Sequence, residues 1–165
     1  MKNGLYLPQF DFDSCGVGFV ANLKGVKSHK IVSDAITMLE NMEHRGATGY
    51  EKSTGDGAGI QIQIPHEFLY EKALENGFYL PDVGDYGLGM LFFPKDDALR
   101  DECKRVIYNS AEKLNYKILG YRSVPVNNFE IGETAKSVEP VMEMIFIEKP
   151  FDVTSDDDFE RKLFI

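Results

Sequence analysis

Residues 10–25, FDFDSCGVGFVANLKG, set a single cysteine, Cys15, between an acidic leader and a short apolar run. Gly16 and Gly18 flank the positions just after it, so bulk is kept away from the thiol where a strand is predicted over 15–21. Such spacing serves either close packing or access to sulfur. The turn-like NLKG at 22–25 closes the segment.

Outward from this stretch, Ser28 is placed to cap a helix with apolar positions Ile31, Ala35, Ile36, Leu39 and Met42, and Gly46 is placed to end it. Residues 47–59, ATGYEKSTGDGAG, read as a polar, glycine-rich loop, and IQIQI at 60–64 alternates as a half-buried strand does. Pro65 opens a short helix that Gly77 stops. GLGMLFF at 87–93 is a continuous apolar strand candidate. Asp96 or Asp97 caps the next helix, with a stripe of Leu99, Cys103, Val106, Ile107, Ala111 and Leu114. Further strands are predicted over 117–126 and 141–147, with a helical turn near 130–137 between them. Ser155 and Asp156 start a last helix at SDDDFERKLFI, which meets neither a stop signal nor the usual helix length before Ile165 and reads as part of a longer protein.

Composition narrows the function classes. With 165 residues, 43% of them hydrophobic and twelve phenylalanines, the chain can bury one sizeable core. A formal charge of −9 without a basic block argues against nucleic acid as a partner. No apolar run approaches the roughly 18 residues of a membrane span and no secretory signal opens the chain, which predicts a cytoplasmic protein without a membrane partner. Two distant cysteines make neither a disulfide framework nor a zinc site. His29, His44 and His66 lack metal-ligand spacing and read as solvated or helix-end residues, so no metal is expected.

Several motifs fail on context. GVGFVA at 16–21 has the glycines of a dinucleotide-binding turn but neither the preceding core strand nor the following helix, and GDGAG at 55–59 lacks the Lys-Ser/Thr sequel of a P-loop. Acid pairs such as Asp96/Asp97 fit helix caps better than acid–base couples. Cys103 belongs to a helical apolar stripe, where free cysteine behaves as a small hydrophobe. Composition alone would make Cys15 a core residue as well.

Three long, ordered motifs decide otherwise. CGVGFVANLKG at 15–25, MLENMEHRGATGYEKSTGDGAGI at 38–60 and YRSVPVNNFEIGETAKSVEPVMEMIFI at 121–147 together resemble the amino-terminal glutaminase domain of the glutamate synthase family. The resemblance implies an N-terminal-nucleophile amidotransferase of class II. Residues 1–14 would be a removed leader and 15–165 the proximal part of a longer glutaminase domain. Cys15 would be the nucleophile, with its own α-amine as base after processing. Arg45, Gly46 and Gly16 would support it, and Thr48, Gly49, Asp56 and Gly57 would build the loop around the pocket. Glutamine would be the substrate and the remainder of the glutamate synthase chain the partner.

The implied fold is an α+β, four-layer αββα sandwich, whereas local alternation of strands and helices would ordinarily predict a parallel sheet. No cofactor is expected in this stretch, while FMN and an iron–sulfur cluster are expected in the parent enzyme. The family's later His-Asn-Gly motif, which supplies the oxyanion hole, is absent from the sequence, so the stretch alone is expected to be inactive. The rivals are another class-II cysteine amidotransferase and a non-catalytic interaction segment. The former usually carries Asp-Ser after its Arg-Gly and a very short leader, against RGATGYEKSTGDGAG and fourteen leading residues here.

Overall fold

A computed structural model describes residues 16–46, 51, 53–55 and 57–163, leaving the side chain of Arg45 outside the description. The chain divides into two compact units, one formed by residues up to Gln63 together with Glu130–Ala135, the other by Ile64–Phe129 with Lys136 onward.

In the first unit, helix α1 spans His29–Asn41, with Ser28 at its N-cap position in extended conformation. The cap is only positional, because the Ser28 side chain makes no capping hydrogen bond. Ile31, Ala35, Leu39 and Met42 are half-buried as the period requires, but Ile36 is exposed and Met38 takes its place on the covered face. A 3-10 turn, Glu43–Arg45, continues the chain to Gly46. Gly46 lies at φ −85° and ψ 153°, so it ends the helical course in extended backbone and not through the left-handed conformation that glycine is usually needed for. The NLKG turn forms as read: Gly25 sits at φ +68° and its N–H donates to Asn22 O at 3.0 Å.

The strands expected over 15–21 and 60–64 are corrected. The described residues of both stretches join no ladder, and Val17 and Phe19 stand 93% and 90% exposed. Alternation specifies which face a side chain takes, but a strand also needs a partner backbone to accept its N–H and C=O groups. None runs along these segments among the described residues.

The second unit is built on one three-stranded antiparallel sheet of order β1-β3-β2, from β1 (Tyr86–Phe93), β2 (Lys117–Ser123) and β3 (Val141–Glu148). The parallel sheet that local order would suggest is therefore not formed. β1 and β2 both pair with β3, which enters between them, so the helix that joins them spans a split βαβ arrangement.

Helix α2 (His66–Glu75) covers one sheet face, burying Leu69 and Ala73 with Leu80, Tyr86 and Phe146. Gly77, at φ +82°, stops it as expected. On that face Gly120 lies opposite Phe146, and a Cβ there would overlap the Phe78 ring, whose centroid is 5.3 Å from that of Phe146. His66 is not simply solvated, since its Nδ1 lies 3.2 Å from the Tyr86 hydroxyl.

The opposite face carries α3 (Asp97–Lys113) and α5 (Asp156–Leu163). Asp96 caps α3 by accepting from the Leu99 N–H at 2.9 Å. The expected stripe is rotated: Arg100, Cys103, Lys104, Ile107 and Ala111 are covered, while Leu99, Val106 and Leu114 are exposed. Electrostatics explain the turn of the helix. Glu143 is buried on β3, and Lys104 Nζ reaches it at 2.7 Å while lying 4.9 Å from the Tyr121 ring centroid. A buried carboxylate left without that cation would be strongly destabilising. The Gly87 position leaves room for Leu163 and Phe159 of α5, which ties the GLG of β1 to the last helix. The short helix α4 spans Glu133–Val138.

Candidate functional site

Cys15 itself lies outside the described residues, while Gly16 and the residues after it, up to Gly46, are described. Gly16 meets α1 at Met42, where a Cβ would stand 2.8 Å from the thioether sulfur, and a Cβ on Gly18 would overlap Met38. Real side chains do not approach so closely, so the glycines let this backbone press against the methionine face of the helix. Close packing against Met42 and Met38 is thus seen at these glycines, while access to the Cys15 sulfur falls outside the described residues.

Met42 connects that contact to the next motif. It closes α1 and begins the 3-10 turn whose last residue is Arg45, followed by Gly46 with its N–H donating to Glu43 O at 3.0 Å. His44 strengthens this corner, because its Nδ1–H donates to the Asn41 carbonyl at 3.0 Å, one of the helix-end acceptors without an intrahelical partner. The segment that follows Cys15 and the HRG turn, remote in sequence, thus meet at one helix end. Thr48, Gly49 and Asp56 lie outside the described residues, and Gly57 has open space about its Cα.

Sequence reasoning missed one part of this unit. Glu51 and Thr54, in the loop after Arg45, reach residues 132–134: Glu51 Oε1 accepts from the Thr134 N–H and hydroxyl, each at 3.1 Å, and Thr54 Oγ1 accepts from the Gly132 N–H at 3.2 Å. An acid and a threonine three apart give no hint of partners some eighty positions away, so nothing local marks them. The backbone hydrogen bond from Thr134 comes first among the causes that hold the Glu51 carboxyl below the usual carboxylate range.

Among the described residues no group of three or more His, Cys, Asp or Glu side chains could hold a metal ion, and no helix is long and apolar enough to cross a membrane. Cys103, partly covered on α3, is a free thiol.

Comparison with known families gives the arrangement its place. The model of the family described as "Glutamine amidotransferases class-II" matches residues 15–165, beginning at Cys15 itself. The chain belongs to this family. The class-II match covers both the glycines against α1 and the HRG turn. Among curated relatives, the chain is 40% identical over 162 residues to the glutamate synthase [NADPH] large chain of Bacillus subtilis, covering 98% of this chain and 10% of that protein. It is 43% identical over 152 residues to ferredoxin-dependent glutamate synthase 2, chloroplastic, of Arabidopsis thaliana, covering 92% and 9%. To glutamate synthase [NADH] of Saccharomyces cerevisiae it is 43% identical over 146 residues, covering 86% and 7%. The chain therefore spans about a tenth of the length of these relatives.

Proposed function

We propose that this class-II amidotransferase chain is the glutamine-hydrolysing part of a glutamate synthase, with Cys15 as its nucleophile. The observation that carries the reading is the family match starting at Cys15, together with the packing of Gly16 against the helix end that leads to Arg45. In this reading residues 1–14 are a leader whose removal frees the Cys15 amine, and residues 15–165 are the proximal part of the glutaminase domain.

The thiol proton passes to the free α-amine, whose reference pKa of about 7.7–8.0 leaves part of it neutral near physiological pH. Cys15 Sγ then attacks the side-chain amide carbon of glutamine. The amine returns its proton to the leaving nitrogen, ammonia departs and a glutamyl thioester remains. Water, deprotonated by the same amine, attacks the thioester; glutamate leaves and the thiol is restored. Arg45 and Gly46 shape the pocket at the end of α1, and Gly16 lets the chain beside the nucleophile lie close to that helix. The negative charge on the amide oxygen needs donors that residues 1–165 do not include as a His-Asn-Gly motif.

In the complete polypeptide the ammonia serves glutamate formation from 2-oxoglutarate, at a site with flavin and an iron–sulfur cluster. Among the described residues an iron–sulfur cluster finds no ligand set, since they offer one free thiol and no group of three or more His, Cys, Asp or Glu side chains that could hold a metal ion. The mixed helix and sheet content suits the four-layer αββα sandwich proposed for the whole domain. A cytoplasmic location belongs to the same proposal, although some relatives are chloroplastic.

The test is Cys15→Ala in the complete polypeptide. Glutamine-dependent glutamate formation is expected to vanish while ammonia-dependent formation persists, because only ammonia delivery needs the thiol. Equal loss of both would contradict the role of Cys15.

A further inference from the structure

The Glu51 cluster has no part in the chemistry above, yet among the described residues it joins two parts of its unit some eighty positions apart in sequence. Glu51 Oε1 takes both Thr134 donors, its other oxygen accepts from the Thr54 hydroxyl at 3.3 Å, and the Thr54 N–H donates to the Glu51 carbonyl at 3.0 Å. Thr54 in turn accepts from Gly132, where any Cβ would collide with the Glu51 carboxylate. Two side chains of one loop thus accept from backbone N–H groups at and just before the start of α4. Glycine-rich chain has many conformations to lose, so a loop such as 46–59 needs fixed contacts to hold one.

We propose that Glu51 is a positioning residue for glutamine use, fastening the loop that follows Arg45 to residues 132–134. This rests on the assignment of Cys15 and Arg45 to the glutaminase site. Glu51 acts through the loop and takes no part in the acyl chemistry proposed above, so its loss affects how glutamine is held more than what ammonia does afterwards.

The experiment measures glutamine- and ammonia-dependent glutamate formation by the complete polypeptide carrying Glu51→Ala, Glu51→Gln or Gly132→Ala. Glu51→Ala is expected to raise the glutamine KM about ten- to a hundredfold, the scale on which small misplacements act, with the ammonia-dependent rate unchanged. Glu51→Gln keeps an acceptor oxygen for Thr134 and is expected to recover most of that loss. Gly132→Ala disturbs the same contact from the other side and is expected to raise KM in the same direction. An unchanged KM in Glu51→Ala and Gly132→Ala overturns the inference, as does an equal fall of both activities without rescue by glutamine at position 51. If the unsubstituted protein shows no Cys15-dependent glutamine use, the underlying assignment fails and the inference falls with it. If that use is intact in the parent and in Glu51→Ala alike, only the inference falls.

Discussion

Gly18 shows what a single position can carry in this chain. Its backbone lies where a methyl group would overlap the Met38 thioether, whereas Gly57 faces open space. Gly18→Ala is therefore expected to lower unfolding stability by less than the roughly 1–3 kcal/mol of core overpacking, since Gly18 is exposed and the overlapped atoms are the mobile end of Met38. Gly57→Ala should leave the denaturant midpoint close to the parent's. A Gly18→Ala protein as stable as the parent would mean that the segment does not press on α1. The same glycines were legible in the sequence as a demand for small residues, but not as a choice between packing and access. The packing depends on Met38 and Met42, which lie twenty or more positions on in the chain. Glu51 was invisible for the same reason, because Thr134 lies beyond any local window.

At the scale of elements, helices were legible and pairings were not. Asp96, Gly77 and Ser155 mark helix ends with local chemistry, and each acts within a few residues of its place in the chain: Asp96 caps α3, Gly77 turns left-handed, and Ser155 Oγ accepts from the Asp158 N–H at 3.4 Å. Asp96→Ala should cost about 1 kcal/mol, with Asp96→Asn recovering most of it, as read by thermal unfolding. No loss would mean that the Asp97 carboxylate takes over. The face of α3 was misread because hydrophobicity alone set the stripe. Buried Glu143 draws Lys104 inward, and with it Arg100 and Cys103 in place of Leu99 and Val106. The strand at 15–21 was read from a short apolar run and that at 60–64 from alternation; neither signal supplies a neighbour.

At the scale of the molecule, the antiparallel order β1-β3-β2 places the last strand of the chain in the middle of the sheet. Its residues pair on both edges and bury Glu143, Ile145 and Phe146. Amide exchange should accordingly be slowest in β3, since its opening requires both neighbours to part, and faster in β1 and β2, each paired on one side only among the described residues. Faster exchange in β3 than in both neighbours would contradict the strand order. Neither order nor direction is written in the strands' own residues, because each pairing joins positions tens of residues apart. The family, by contrast, was legible from long motifs before any fold was known.

The central claim is that Cys15 becomes an N-terminal nucleophile, and it is tested most directly by peptide mass spectrometry of the complete polypeptide after reaction with an electrophilic glutamine analogue. The expected result is a labelled peptide that begins at Cys15 with a free α-amine and carries the label on its sulfur. A label on a peptide in which the Ser14–Cys15 bond is intact, or a label on Cys103 with Cys15 unmodified, would contradict it.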